Sequence, residues 1–376
     1  MSGTYRVRQA TLGDWPAIAR FVAQSFDVYA PFKHERRWRW QQQVSPNVGS
    51  DALVSTWIAL HDEEVVGQII GQPAEVFVGG MRQRVFWLVD LMVLPEHRGA
   101  RLARRIHDLL LQDGDVFMTL TMAPAKRRLD ETLGAVTLPP ITEFLRVQGM
   151  SMATTRYMIT QQTGRSARLA SVGRLVERWS ILPATAAAII SVGGTAARLA
   201  ARSRRPKLDS EIVDVDDFDA ALLEEIDSAR QQVAGGASSR SVDFCRWRFL
   251  QAPDLRYRIA ELPGRGYAVW REAIAGEVVI ATLADVICRP DDREAYARLA
   301  SHATAAMAKA DAISASGALT PDVSALRQLG YVPVRSHAPT VITLDKEAKA
   351  RFRDAQDKEW LLGKADQDWD QVRPIA

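Results

Sequence analysis

The chain has 376 residues, a hydrophobic share of 47% and a charged share of 25%, which is typical of a soluble globular protein and long enough for two domains of about 150 residues. Its two cysteines, Cys245 and Cys288, form no pairing framework and its six histidines are scattered. This composition excludes a disulfide-stapled secreted domain and predicts a reducing compartment and no bound metal. Met1–Arg6 lacks the apolar core of a signal peptide, so we expect a cytoplasmic protein.

The first half predicts strands and helices that alternate along the chain. A helix enters at Thr11–Asp14, where Thr11 can cap, and another follows Pro95. A shorter helix ends at Gly134, which suits a left-handed cap. The predicted strands are Tyr5–Arg8, Ser55–Leu60, Val65–Pro73, Arg84–Val93, Met118–Met122 and Glu143–Val147.

Positive charge is concentrated between the two halves. Residues 163–207 hold a local excess of about eight positive charges, and Trp179–Ala197 within them is uncharged. This stretch is near the length of a membrane span but rich in Ala, Gly, Ser and Thr, so we interpret 151–209 as a basic helical linker. Peripheral contact of 163–207 with anionic lipid at the inner membrane face is the alternative. Nucleic acid is not expected as a partner, because Trp179 is the only aromatic residue within the basic run.

The second half repeats the order of the first and ends in a charged tail, 346–376. Its predicted helices are Asp219–Ala229, Arg293–Lys309 and Asp322–Gly330. Its predicted strands are Glu211–Val215, Tyr257–Leu262, Tyr267–Glu272, Val278–Ile287, Ala312–Ala315 and Thr340–Leu344. In the tail, Asp366, Asp368 and Asp370 alternate without the glycine and glutamate of a calcium loop, so a solvated tail is expected.

Three landmarks recur in the same order in both halves. They are an Asp leading an apolar strand into Pro and Arg (Asp90, Pro95, Arg98; Asp285, Pro290, Arg293), an Arg-Trp pair (Arg39-Trp40; Arg246-Trp247) and a Leu-Gly pair (Leu133-Gly134; Leu329-Gly330). We interpret the matched Arg-Trp pairs as helix residues that pack on the sheet. The repeat predicts a duplicated α/β domain with a mixed sheet, at 1–150 and 210–345.

The segment Leu91–Ala103 resembles the acyl-coenzyme A signature of the GNAT acetyltransferases, so the whole resembles a tandem GNAT protein. The resemblance implies acetyl-CoA as co-substrate, with Leu91, Met92 and Val93 along the pantetheine arm. It implies that a loop into a helix supplies backbone amides to the pyrophosphate, since such amides have no helical partner and carry partial positive charge. The loop positions are Arg98, Gly99, Ala100, Arg101, Leu102 and Ala103. Arg101 stands where the family usually has a second glycine, and its side chain would either block the phosphate or add a contact to it.

Acetyl transfer by direct attack requires a group that accepts the proton of the amine. Asp90 is the best-placed residue for this catalytic role, although a strand-entry aspartate that recurs as Asp285 also fits a structural role. Asp130 and Glu131 are weaker choices. Ala135 follows Gly134 where many relatives keep a tyrosine, so the acid for the thiolate stays unassigned, and Tyr331 is interpreted as packing.

The second copy lacks the loop of small residues that would bind the pyrophosphate, which we call the cradle. After Arg293 it has no glycine, and Glu294 at the helix start would repel phosphate. We therefore expect this half not to bind coenzyme A, and to form part of the acceptor pocket or to stabilise the first half.

The function that fits best is N-acetyl transfer to an amine of a small molecule, amino sugar or peptide. The alternative is a non-catalytic GNAT-like protein for binding or assembly, located at a membrane surface through the basic linker. A third class, aminoacyl transfer from charged tRNA into cell-wall precursors, shares the tandem architecture but has no specific motif here. The sequence does not define the acceptor or the oligomeric state.

Overall fold

A computed structural model describes residues 4–47, 53–148, 206–275 and 278–367. Two mixed sheets flanked by helices make up the fold, which confirms the predicted α/β class. The first sheet contains β1 (Tyr5–Thr11), β2 (Leu53–His61), β3 (Glu64–Val78), β4 (Met81–Val93), β5 (Phe117–Thr119), β6 (Val136–Thr137), β9 (Gly236–Ser238), β15 (Thr340–Ile342) and β16 (Trp360–Leu361). The second contains β7 (Ile141–Val147), β8 (Val213–Val215), β10 (Arg258–Leu262), β11 (Gly266–Ala275), β12 (Val278–Cys288), β13 (Ala312–Gly317) and β14 (Val332–His337).

The predicted helices lie close to their predicted positions, whereas α9 (Lys346–Ala355) lies in the expected tail. The described helices are α1 (Trp15–Ser25), α2 (Glu35–Arg39), α3 (Leu102–Leu110), α4 (Pro124–Thr132), α5 (Ala220–Arg230), α6 (Val242–Cys245), α7 (Arg293–Ala306), α8 (Thr320–Gln328) and α9. In α3 the apolar residues Leu102, Ile106 and Leu110 are buried while Arg104 and Asp108 form an outward ion pair, as the helical spacing predicts. None of the described helices is long and apolar enough to span a membrane.

The two sheets have the same strand order and the same pairing senses. The first runs β1-β2-β3-β4-β5-β15-β6 and the second β8-β10-β11-β12-β13-β7-β14. Along both paths the neighbours are antiparallel except for β4 with β5 and β12 with β13, which are parallel. The corresponding positions support the interpretation of the chain as a repeat.

Each half contributes to the sheet of the other: β7 of the first half joins the second sheet, and β9, β15 and β16 of the second half join the first. β15 lies between β5 and β6, and β7 lies between β13 and β14. The predicted ranges 1–150 and 210–345 therefore do not coincide with the two sheets. A strand that reads as the end of its own domain can complete a different sheet, because alternation of side chains does not specify the partner strand.

The C-terminal segment corrects the expectation of a solvated tail. Residues 346–367 form α9, β16 and a 3-10 turn at Lys364–Asp366, and β16 pairs in parallel with β9. The ring of Trp360 packs on Gly236, where a Cβ would approach the ring within 2.6 Å. Only a glycine allows this contact, and the tail is thereby fixed to the first sheet.

Most of the predicted linker lies outside the described residues. Of 151–209 only 206–209 are described, and these four residues form no helix. The uncharged stretch Trp179–Ala197 and nearly all of the lipid-contact range 163–207 are likewise outside the described part of the chain.

The two matched tryptophans contact each other. Each lies on a π-helical turn, Trp40–Val44 after α2 and Arg246–Leu250 after α6. The Trp40 and Trp247 rings stack with centroids 4.5 Å apart, and each Nε1 donates to the backbone carbonyl of the other at 3.2 Å. The predicted helical setting is confirmed, but the two rings pack on one another as well as on their sheets.

Candidate functional site

A gap opens between β4 and β5 in the first sheet. The two strands pair at Phe86 with Phe117 and at Trp87 with Met118. β5 ends at Thr119, whereas β4 continues to Val93 along its other neighbour, β3. The backbone of β4 beyond Leu88 therefore has no β5 strand beside it, and Leu91, Met92 and Val93, predicted as pantetheine contacts, all lie along this open edge.

A β-bulge places Asp90 at the edge of the gap. Ile70 pairs with Val89 and Gln68 pairs with Met92, so Asp90 and Leu91 together oppose a single residue of β3. Asp90 has a φ of +56°, in the left-handed region that aspartate adopts more readily than most residues. The bulge therefore redirects the carboxylate out of the regular alternation of the strand.

The predicted cradle lies at the end of β4. Pro95–Ala100 form a 3-10 turn, Arg101 follows with a φ of +54°, and α3 begins at Leu102. No side chain caps α3, so the amides of its first turn lack helical partners. A Cβ placed on Gly99 would meet nothing within 4 Å, which leaves the approach to the loop open.

Arg101 lies at the end of the 3-10 turn, directly before α3. Its side chain is exposed and forms no hydrogen bond or ion pair within the described ranges. The left-handed φ explains why a glycine is usual at this position, since an L residue there costs roughly 1–2 kcal/mol. Arg98 instead contacts the strand, because its Nε donates to the carbonyl of Val93 at 3.2 Å.

Lys33 forms an ion pair with Asp90. Its Nζ lies 2.5 and 2.6 Å from the two carboxylate oxygens, and the side chains are 18% and 14% exposed. The pair borders a small cavity of about 20 Å³ between α1, α2 and the sheet, room for one water molecule. The buried amide of Gln68 lines the same cavity, and neither its Oε1 nor its Nε2 has a partner in the described part of the chain.

The second half contains an equivalent ion pair. Arg240 donates from Nε to Asp285 at 2.6 Å, and Asp285 is the landmark that corresponds to Asp90. Lys33 and Arg240 both stand seven residues before their matched tryptophans. Arg240 also pairs with Asp366 at 2.7 Å and is buried, so the C-terminal segment covers the arginine of this second pair.

The weaker acidic choices have other surroundings. Asp130 is fully buried, pairs with Lys126 and accepts a hydrogen bond from Thr340 at 2.8 Å. Burial lowers the pKa of Lys126, and Asp130 opposes that shift. Glu131 is exposed on α4. Tyr331 is buried with its hydroxyl 3.0 Å from that of Thr304, and burial raises its pKa to about 12, which agrees with the packing role expected for it.

The C-terminal segment borders the second gap, between β12 and β13, where Leu361–Gly363 line a cavity of about 30 Å³ together with Leu283–Val286 and Ser316. The backbone N–H of Lys364 donates to Ser316 Oγ at 3.2 Å, and its Nζ donates to Glu143 at 3.0 Å. Burial opposes ionisation of Glu143, but hydrogen bonds from His337 and Lys364 outweigh it and lower the pKa to about 2. The helix start differs as well: α7 begins at Arg293, directly after the capping residue Asp292, which accepts from the amide of Ala295 at 3.0 Å.

The sequence did not indicate the residues that close the first gap. Gln367 donates from Nε2 to the carbonyl of Leu88 at 2.6 Å and accepts from the amide of Thr121 at 3.2 Å. The guanidinium of Arg248 donates hydrogen bonds to the backbone carbonyls of Ala365 and Gln367 at 3.0 and 3.2 Å. No local motif marks these residues, since their partners are more than a hundred positions away in the chain. Among the described residues no cluster of three or more metal-ligating side chains occurs.

Comparison with known proteins agrees with this architecture. A model of the acetyltransferase (GNAT) domain matches residues 6–115. A GCN5-related N-acetyltransferase from Anabaena variabilis is similar with a TM-score of 0.56 at 10% identity, over 90% of this chain and 72% of that one. A GCN5-related N-acetyltransferase from Kribbella flavida is similar with a TM-score of 0.54 at 14% identity, over 92% of this chain and 72% of that one. N-myristoyltransferase from Saccharomyces cerevisiae with bound myristoyl-CoA is similar with a TM-score of 0.54 at 12% identity, over 90% of this chain and 82% of that one.

No curated protein matches the sequence. At these identities the solved structures establish a shared fold. Residues 6–115 thus match the acetyltransferase (GNAT) domain, and the chain shares its fold with solved GCN5-related N-acetyltransferases.

Proposed function

We propose that this protein is an acyl-CoA-dependent N-acyltransferase that transfers an acetyl group from acetyl-CoA to an amine, with the cofactor in the N-terminal half. The observation that carries the proposal is the gap between β4 and β5, which leads directly to the uncapped N-terminus of α3. Free strand groups and free helix amides at one end of a sheet suit an extended ligand with a phosphate at one end.

The residues present fit a coenzyme A pyrophosphate. Gly99 leaves the backbone accessible, and Ala100 and Ala103 add only small side chains near it. Arg101 lies outward in solvent, where its guanidinium is free to approach a phosphate. Leu102 and Ala103 would donate their first-turn amides.

The side chains and backbone of the site have distinct roles in this proposal. Leu91, Met92 and Val93 bind the pantetheine arm through backbone groups, and Arg98 releases the carbonyl of Val93 for that purpose. The bound thioester supplies an activated acyl carbonyl and a thiolate leaving group. Asp90 binds the acceptor ammonium in place of the Lys33 ammonium and then accepts its proton, so that the neutral amine can attack.

The second half does not bind coenzyme A in this proposal. Its helix start is capped by the carboxylate of Asp292, which would repel a phosphate. Leu361–Gly363 of the C-terminal segment line its strand gap, and the cavity of about 30 Å³ left there is too small for a pantetheine arm. This half instead supports the first through β15 and the C-terminal segment.

Calorimetric titration with acetyl-CoA tests the cofactor site. The wild type is expected to bind at micromolar concentration, and Gly99→Glu to bind about tenfold more weakly or worse, a loss of about 1.4 kcal/mol or more, because a carboxylate would face the phosphates. Gly99→Ala is the matched control, since its Cβ meets no neighbour, and it should retain most of the affinity. Absence of binding to the wild type at millimolar acetyl-CoA would refute the proposal.

A further inference from the structure

We propose that Gln367 forms the floor of the acyl site and restricts the transferase to short acyl groups. The inference rests on the proposed function, because it concerns the acyl end of the same strand gap. Gln367 belongs to the C-terminal segment, 274 residues beyond the end of β4 at Val93.

The side-chain amide of Gln367 forms hydrogen bonds to both sides of the gap, where β4 and β5 begin to separate. β4 and β5 last pair at Trp87 and Met118. At the next level, the Leu88 carbonyl accepts from Gln367 Nε2 at 2.6 Å, and Gln367 Oε1 accepts from the Thr121 amide at 3.2 Å. The side chain therefore lies where the strands begin to diverge and closes the narrow end of the gap.

Buried hydrogen bonds and ion pairs fix the position of Gln367 and of the residues before it. Gln367 is 2% exposed, and Arg248 donates to its carbonyl at 3.2 Å. The preceding Asp366 pairs with Arg240 at 2.7 Å, and Lys364 pairs with Glu143. Both arginines are themselves buried, so displacement of the floor would break several buried charge contacts.

The position of the floor limits the length of the acyl group. The pantetheine arm runs along Leu91–Val93, and the thioester follows towards the bulge at Asp90. From Leu91 to Leu88 a strand covers only about 10 Å. An acetyl group ends within that distance, whereas a long chain that follows the gap meets the Gln367 amide.

Acyl-CoA binding by the intact protein tests the floor without the need for an acceptor. Calorimetry would compare acetyl-CoA with octanoyl-CoA for the wild type and for Gln367→Ala and Gln367→Met. We expect the wild type to bind acetyl-CoA at least tenfold more tightly than octanoyl-CoA. Gln367→Ala should reduce that ratio to about threefold or less, because it removes the side chain that blocks the chain. Gln367→Met keeps the bulk without the hydrogen bonds, and it should retain the preference.

Two results would contradict the role of Gln367 as the floor of the acyl site without contradicting the proposed cofactor site. One is equal affinity of the wild type for the two acyl-CoA ligands. The other is an unchanged ratio in Gln367→Ala, with circular dichroism showing a folded protein. If the variant does not fold, the wild-type ratio still decides, since a floor requires the preference for acetyl-CoA. Failure of the wild type to bind acetyl-CoA and free coenzyme A alike would reject the proposed function, and the floor with it.

Discussion

Asp90 combines an unusual backbone position with a close cationic partner. The bulge gives it a left-handed φ, and Lys33 neutralises its carboxylate at 2.5 and 2.6 Å. The equivalent pair Arg240–Asp285 shows that the ion pair recurs in the second half, although Asp285 does not share the left-handed φ. The two pairs differ in access, because Lys33 is 18% exposed and Arg240 is 1% exposed. The proposed competition between an incoming ammonium and the cation therefore concerns Lys33, the more accessible of the two cations.

Substitution of Asp90 by Asn tests its role in proton transfer. The amide keeps the shape but neither carries a charge nor accepts the proton, so kcat should fall about 100-fold or more. The affinity for acetyl-CoA, measured by calorimetry, should stay within a factor of about two, because Asp90 lies beside the cofactor strand edge without contacting the loop amides. Turnover is measured as thiol release with any amine that the wild type accepts.

Lys33→Met is the matched control for Asp90→Asn. It breaks the same ion pair but leaves the carboxylate free, so it should keep most of the turnover and lower the KM for the amine. Equal losses of kcat in both variants would show that the ion pair itself matters, through the position of α2, and would remove Asp90 from proton transfer.

At the scale of elements, two π-helical turns join the halves. A short α-helix precedes each turn, and the stacked Trp40 and Trp247 rings exchange hydrogen bonds with the opposing backbone. Both rings are buried. The reciprocal contact requires each turn to present its tryptophan and its carbonyl in the same direction, which the wider π-helical turn makes possible.

A double-mutant cycle on Trp40→Phe and Trp247→Phe tests this contact by urea unfolding. Each single variant leaves a buried carbonyl without its donor, so it should lower the free energy of unfolding by about 1–3 kcal/mol. The two losses should be non-additive by at least about 0.5 kcal/mol, since the residues touch.

Trp87→Phe provides the control for loss of an indole N–H. Trp87 is buried, but its Nε1 has no partner within the described ranges. Its replacement should therefore be less destabilising than either member of the stacked pair. Additive losses at positions 40 and 247 would indicate two independent packing sites.

At the scale of the whole molecule, strand exchange makes the halves interdependent. β15 from the second half separates β5 from β6, and β7 from the first half separates β13 from β14. Each half alone would thus lack the strand between two others in its sheet. The buried strand edges left behind would carry unpaired N–H and C=O groups, which is costly.

Fragment expression tests this interdependence. Residues 1–148 alone should give no cooperative urea transition and no acetyl-CoA binding, whereas the full chain should unfold cooperatively. Co-expression with residues 206–376 should restore both properties, because the exchanged strands can then pair without a covalent connection. A sharp transition for the isolated fragment 1–148, followed by circular dichroism, would contradict the dependence.

Local patterns along the chain were sufficient for the α/β class and for most elements. The landmarks at Asp90, Pro95 and Arg98 also located the end of β4 and the start of the cradle loop, and the two-fold order of elements agrees with the two equivalent sheets. These features depend on neighbours in sequence, such as helical spacing and turn residues, and such short-range preferences survive without tertiary contacts.

The tertiary structure alone decided which strand completes each sheet, which cation faces Asp90 and what closes the gap. Leu88 and Gln367 are 279 residues apart, and Asp90 and Lys33 are 57 apart. Contacts at such separations leave no period in the sequence, because they arise from complementary surfaces and buried polar groups that must find partners. The residues that carry the resemblance to GNAT proteins are therefore readable in the chain, whereas the partners of Asp90 and of the Leu88 carbonyl emerge only in the folded protein.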